Sequence, residues 1–169
     1  MENYLLGNGS HAGVCLNVIR DLGEAVSGFV LKEVISESEK TIDPPFAGDE
    51  TWLICLEPTD ITLINGVGQT AESDSRAKVF AKFKAKDFVF RTIIHPSASV
   101  TSKCSIAEGA QIMRQVAIQS DVSVGKNTII NTGAIIDHDT QIGNNVHIAP
   151  GAVLCGGVSI GDHTMVGAG

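Results

Sequence analysis

From Ile94 to Val166 an aliphatic residue stands at every sixth position, thirteen times in succession with no slip of register. The position two before each is also restricted, to small or β-branched residues such as Ala98, Val116, Thr128, Ala134 and Thr140, or Cys104. A helix needs apolar spacing near 3.6 and an ordinary strand near 2, so neither alone accounts for a period of six. A short strand followed by a tight corner, repeated, does account for it, and that is the pattern of a parallel β-helix. Three hexads close one triangular coil of eighteen residues. Each aliphatic side chain then points to the axis and stacks on its equivalent one coil away, at roughly the 4.7–4.9 Å inter-strand spacing. Residues 94–169 give about four coils, a prism on the order of 20 Å tall. Gly125, Gly143, Gly161 and Gly167 each follow an aliphatic position, where the backbone is expected to turn and a Cβ to be costly. A stack of this kind is quasi-one-dimensional and leaves strand edges at its ends.

The chain's 169 residues allow one large domain or two small ones. Aromatic residues make up only 5%, which suits a narrow interior with no room for rings. The net charge of −7 and the lack of a basic run argue against nucleic acid as a partner. They leave an anionic ligand open, because backbone amides and helix starts bind phosphate whatever the net charge. The four cysteines are scattered without a C-x-x-C pair and read as thiols of a reducing cytosol. Met1-Glu2-Asn3 is not a basic leader, and Gly7 and Gly9 interrupt the first apolar stretch, so no signal peptide is expected. No segment approaches a transmembrane span. A cytoplasmic location away from membranes is the expectation.

Residues 1–91 follow another pattern. Tyr4-Leu5-Leu6 reads as a strand running into Gly7-Asn8-Gly9-Ser10-His11-Ala12-Gly13. Val14 to Leu22 has helical apolar spacing, with Gly23 as its stop. Strands are expected over Val26–Leu31, Trp52–Leu56, Ile61–Val67 and Phe88–Ile94, with a helix over Ser73–Phe83. Glu37 to Asp49, with Pro44-Pro45, reads as a loop. Strands alternating with helices imply a small parallel α/β domain, Rossmann-like, over 1–91, packed directly against a β-helix domain over 92–169.

Two places could carry chemistry. A strand, a glycine turn and a helix start can cradle a phosphate on free N–H groups. The spacing G-x-G-x-x-x-G also fits an ordinary tight turn, and Ser10 reads equally as a helix N-cap. His138 stands in Ile136-Asp137-His138-Asp139, between two carboxylates. A histidine is the natural general base near neutral pH, and a neighbouring acid fixes its tautomer. The alternative is a solvated corner of the coil. His147 follows nine residues on, half a coil around. His95 reads as structural and His163 as a solvated corner.

With these segments in view, the chain resembles the left-handed β-helix (hexapeptide-repeat) sugar O-/N-acetyltransferases. That family includes sialic acid O-acetyltransferases and N-acetyltransferases of nucleotide-linked 4-amino-4,6-dideoxy sugars. The resemblance rests on Leu6–Gly13, Ile64-Asn65-Gly66-Val67-Gly68, Asn131–Asp139, Ile142–Gly151 and Leu154–Val158. It implies left-handed coils, against the usual right-handed crossover. It implies a nucleotide-sugar-binding domain with Gly9, Ser10 and His11 against the phosphates. His138 would be the catalytic base and Asp139 the acid that makes it more basic. Acetyl-CoA would be the co-substrate, with no metal. His147 would lie near its thioester, and its tail would pass Gly156 and Ala168. The protein would be a homotrimer with sites between subunits. The function implied is N-acetylation of a nucleotide-linked amino sugar for surface polysaccharide or glycan synthesis. O-acetylation of a sialic acid or other sugar is the alternative. The repeat reaches Gly169 inside a hexad, so the usual last coils are expected to be lacking, and a non-catalytic binding or assembly protein is a second alternative.

Overall fold

The computed structural model of the chain describes residues 2–32, 43–70 and 72–169. Strand β1 (Glu2–Leu6) buries Tyr4, Leu5 and Leu6 in succession, so both its faces are covered, as in parallel α/β sheets. Gly7 then turns the chain at φ +90°, a conformation in which a side chain is costly. Helix α1 (Ser10–Asp21) follows at once. Its N-cap is Gly9, with no side-chain cap, so Ser10 is the first helical residue and not the expected cap. Gly23 ends α1 as expected, at φ +74°. Its N–H bonds the Arg20 carbonyl at 2.9 Å, and that of Glu24 bonds Ile19 at 3.1 Å, the paired bonds of a Schellman stop.

Strand β2 (Gly28–Leu31) pairs parallel with β1. The next elements correct the sequence reading. Strand β3 is Phe46–Asp49, inside the expected loop, and the expected strand over Trp52–Leu56 begins instead as helix α2 (Glu50–Leu53). The Asp49 carboxylate accepts the Trp52 N–H at 2.8 Å, a cap that stops the strand and starts the helix. The Trp52 ring fills the space beside Gly48 where a Cβ would stand. The expected loop's residues 37–42 lie outside the described residues. Strand β4 (Ile61–Asn65), helix α3 (Ser75–Lys84) and strand β5 (Val89–Phe90) complete a parallel sheet of order β3-β2-β1-β4-β5. The expected strand Phe88–Ile94 is split. Arg91 N–H still bonds Leu63 of the sheet at 2.8 Å, while the Thr92 hydroxyl donates to Ala107 of the coil at 2.9 Å.

From Ile93 onward, two-residue strands build three parallel faces. Face one stacks Ser99–Val100, Ala117–Ile118, Ile135–Ile136 and Val153–Leu154. Face two stacks Ser105–Ile106, Ser123–Val124, Gln141–Ile142 and Ser159–Ile160. Face three runs from Ile93–Ile94 through Gln111–Ile112, Ile129–Ile130 and His147–Ile148 to Met165–Val166. Partners lie eighteen residues apart, as the hexads require. Ile112, Ile130, Ile136 and Ile148 are fully buried, as are Ala110, Ala134 and Val146 two places before aliphatic positions. Thr128 fits the same inward position because its hydroxyl is satisfied, donating to Gly143 O at 2.8 Å and accepting from Val146 N–H at 3.0 Å.

The corners also correct the glycine argument. The left-handed residue falls three places after the aliphatic one: Gly109, Gln115, Asp121, Asn127, Gly133, Asp139, Asn145, Gly151, Gly157 and His163 all have φ near +60 to +70°. Gly125 and Gly143 do not. Each is small because a Cβ would collide with the next coil, at Gly143 and at Asp162 respectively, while Gly161 and Gly167 meet neither constraint. Face three differs from the others in one respect. Its outward residues Gln111, Ile129 and His147 are buried, because α1 and the segment after β4 lie over it. Among the described residues no helix is long and apolar enough to cross a membrane.

Candidate active site

His138 sits at the corner between faces one and two, just after Ile136. The two flanking carboxylates do different work. Asp137 Oδ1 accepts the backbone N–H of His138 at 2.9 Å and holds the corner. Asp139 has φ +59°, which aspartate tolerates better than most residues, and its own N–H bonds Ser120 O one coil away at 3.1 Å. That turn brings Asp139 Oδ2 back to His138 Nδ1 at 2.8 Å. A carboxylate accepts only, so Nδ1 carries the proton and Nε2 presents a free lone pair. The ring is 62% exposed. The Asp139 hydrogen bond, then the charge of Asp137, raise its pKa above the usual imidazole value. The result is an accessible, strengthened base of defined tautomer. Gly156, exposed and one coil on, adjoins this corner, and its neighbour Gly157 donates N–H to His138 O at 2.8 Å.

His147 lies elsewhere, on face three. Its Nδ1 donates to Gln69 O at 3.0 Å, and Asn131 Nδ2 donates to its Nε2 at 3.1 Å. Burial lowers its pKa, with the Arg76 charge acting the same way and the Gln69 bond opposing. The corner between faces one and two is opposite face three, so one chain does not bring His138 and His147 together. Ala168 is exposed beyond the last strand of face three.

Gly9 and Ser10 are exposed at the start of α1. Beside them is a small hollow of about 150 Å³, lined by Leu5, Gly7, Gly9, Ala12, Phe29 and Pro44 among others. A second glycine turn backs the first: a Cβ at Gly66 would fall 2.6 Å from Leu6 O. The fold needs glycine at 7 for its φ, but a Cβ at Gly9 or Gly13 would meet open space. His11 faces inward, its Nε2 bonded to Gln111 Oε1 at 2.8 Å. Burial, helped by the charge of Arg76, pushes its pKa down to about 4, so it is neutral at pH 7. A larger hollow of about 590 Å³ opens at the other end of the sheet, between Glu2, Tyr4, Trp52, Glu57 and Asp60. Its acidic lining disfavours phosphate, and it holds none of the candidate residues. Among the described residues no cluster of three or more His, Cys, Asp or Glu is arranged around a metal.

Sequence reasoning missed the polar junction under α1. Arg76 is 1% exposed and, among the described residues, has no carboxylate partner. Its Nε donates to Asn127 O at 3.0 Å, and its Nη1 to Asn65 O and Val67 O, both at 2.8 Å. Its Nη2 has no partner among the described residues. Burial lowers its pKa to about 10, so it remains charged. Gln111 Nε2 also reaches Asn65 O, at 2.8 Å. His95, read as structural, is buried and bonded to Asp21 at 2.9 Å. Nothing in a single sequence separates Arg76 from the lysines around it on α3, or Gln111 from other outward hexad positions. Both are functional in the sense that they hold the glycine turns against face three.

Comparison with known proteins agrees with this architecture. The family Bacterial transferase hexapeptide (six repeats) matches residues 139–169. A search of curated proteins by sequence returned no match. Among solved structures, a histidine-to-asparagine variant of perosamine N-acetyltransferase from Caulobacter crescentus, in complex with CoA and GDP-perosamine, is 30% identical with a TM-score of 0.84, covering 98% of this chain and 76% of that one. The acetyltransferase domain of PglB from Neisseria gonorrhoeae FA1090, in complex with acetyl coenzyme A, is 26% identical with a TM-score of 0.86, covering 99% and 80%. WeeI from Acinetobacter baumannii AYE, at 19% identity and a TM-score of 0.85 over 99% and 78%, shares the fold. The parallel coil with its six-residue repeat fits a left-handed β-helix. The chain belongs to the hexapeptide-repeat sugar acetyltransferases.

Proposed function

We propose that this protein transfers the acetyl group of acetyl-CoA to the amino group of a nucleotide-linked amino sugar. The observation that carries the reading is the His138–Asp139 pair, an exposed imidazole with Nδ1 tied to a carboxylate and Nε2 free. The matched proteins that bind CoA with GDP-perosamine, or acetyl coenzyme A, support the two substrates. The amine nitrogen attacks the thioester carbonyl, His138 Nε2 takes the proton that nitrogen loses, and the C–S bond breaks. The proton passes to the departing thiolate, leaving an amide and CoA-SH. Asp139 stabilises the imidazolium between these steps. Gly156 and Ala168 lie along the coenzyme's path, and the thioester held at His138 of one copy lies near His147 of a neighbouring copy.

In the same reading, residues 1–91 form a Rossmann-like nucleotide-binding domain and 92–169 the coil. The strand order and the glycine turn after β1 support this. Gly9 and Ser10 offer free amides at a helix N-terminus to the phosphates, and His11 braces that turn from behind. Because this turn and His138 lie on opposite sides of one chain, the sugar reaches the base of a neighbouring copy, and the working unit is a homotrimer. Ile135 and Val153, exposed side by side on face one, support such an interface. The test is a panel of UDP-, GDP- and dTDP-linked amino sugars, with sialic acid as the hydroxyl comparison, assayed with acetyl-CoA by thiol release. Acetylation of one nucleotide amino sugar and not of sialic acid is expected. Turnover of none, or preference for the hydroxyl acceptor, overturns the reading.

A further inference from the structure

Ser120, His138 and Gly156 occupy the same corner in three successive coils, eighteen residues apart. The coil after the base carries no side chain there. A Cβ built on Gly156 would lie 2.7 Å from His138 Cε1, 2.8 Å from Nε2 and 3.1 Å from Nδ1. Three ring atoms at nearly equal distance mean that the imidazole lies with its face on this glycine. The backbone is not the reason for the glycine: Gly156 is outside the left-handed region, whereas its neighbour Gly157 has φ +72° and open space around it. We infer that Gly156 is a positioning residue for the base, its missing side chain making the seat on which the His138 ring rests while Asp139 holds its Nδ1. This rests on the reading of His138 as the base.

The turn beneath the ring cannot retreat. Gly157 N–H bonds His138 O at 2.8 Å, and the Thr140 hydroxyl donates to Cys155 O at 3.1 Å, pinning it on both sides. The ring, by contrast, is exposed, so a rotation about its side-chain bonds moves it into solvent at the cost of its bond to Asp139. A methyl group at 156 therefore displaces the ring and spares the fold. The ionisable groups around the ring are Asp137, Asp139 and the Cys155 thiol, and of these Asp139 bonds it directly.

The test uses the ligand-free protein and histidine NMR titration. In Gly156→Ala the His138 titration should move from its raised position toward that of Asp139→Asn, with melting unchanged. The kcat should fall about tenfold to a hundredfold, the scale of an ångström-sized misplacement, and KM for the sugar should hold. Against a His138→Ala background the same substitution should alter neither melting nor folding, because the ring is gone. If Gly156→Ala keeps the wild-type His138 titration, the seat is wrong, and any activity loss belongs to the coenzyme. If Gly156→Ala unfolds the protein with or without the ring, glycine serves the backbone and the inference fails. An active His138→Ala would instead remove the base assignment, while the titration still decides the seat.

Discussion

At the scale of single residues, the two carboxylates beside His138 show how one turn separates tasks that look equivalent in sequence. Asp137 holds a backbone N–H and Asp139 holds the ring, so their substitutions should differ. His138→Ala should lower kcat about 10²–10⁴-fold with the melting temperature intact, since the side chain is exposed. Asp139→Asn should cost less, because the base remains. The pH profile separates the two roles. A base at His138 acts as the neutral imidazole, and the pKa of that ring is raised, so under the proposed function the rate should climb with pH through a value above the ordinary 6.5. Losing Asp139 should move that limb to lower pH. A limb unmoved in Asp139→Asn would show that the pair does not tune the base. Gly9 gives a companion test: the fold leaves room for a Cβ there, so Gly9→Ala should melt normally and weaken nucleotide-sugar binding in calorimetry.

At the scale of elements, the register of the coil was legible but its corner glycines were not, and in the open sheet the third strand was misplaced. Ile130 is fully buried at the aliphatic position, while Gln141 is exposed on face two. Ile130→Asp places an unpaired charge on the axis and should cost several kcal/mol, roughly, whereas Gln141→Asp should melt like the parent. Comparable melting would put the register in error. The repeat could be read because its period matches no other element and recurs without a break. The run Trp52–Leu56 misled because a few apolar residues fit a strand or a helix equally, and the deciding contact, Asp49 to Trp52 N–H, is a capping bond invisible to periodicity. The His138–Asp139 pair was legible because adjacent residues make it. The junction of Arg76, Gln111 and Asn65 was not, because it depends on which face of the coil the sheet covers.

At the scale of the whole molecule, that junction couples folding to pH. His11 is neutral in the fold, with its pKa lowered to about 4 from 6.5. The unfolded chain therefore binds more protons between these values, and stability should fall as pH drops from about 6.5 to 4, with a limiting slope of about 1.4 kcal/mol per pH unit for one proton. His147 shifts in the same direction. Urea unfolding at pH 7 and pH 5 measures the loss, and His11→Gln should flatten it. Assembly gives a separate expectation: Ile135→Asp with Val153→Asp, both on exposed face-one positions, should convert a trimer to monomers in light scattering and abolish transfer without changing the circular dichroism of the coil. An assembled double variant would relocate the interface.

The eighteen-residue coil also acts as a screw thread. Each full turn returns a residue to the same bearing and advances it by one strand spacing, so bearing and height can be set independently by counting. Duplicating one coil between Val116 and Ala134 would lift His138 by about 4.8 Å away from the junction while leaving it aimed in the same direction. Duplicating a single hexad would keep every aliphatic residue inward yet rotate His138 by a third of a turn relative to the open sheet. A gene that gains or loses repeats in multiples of three can therefore vary the reach between His138 and the open sheet, whereas any other number re-aims the imidazole.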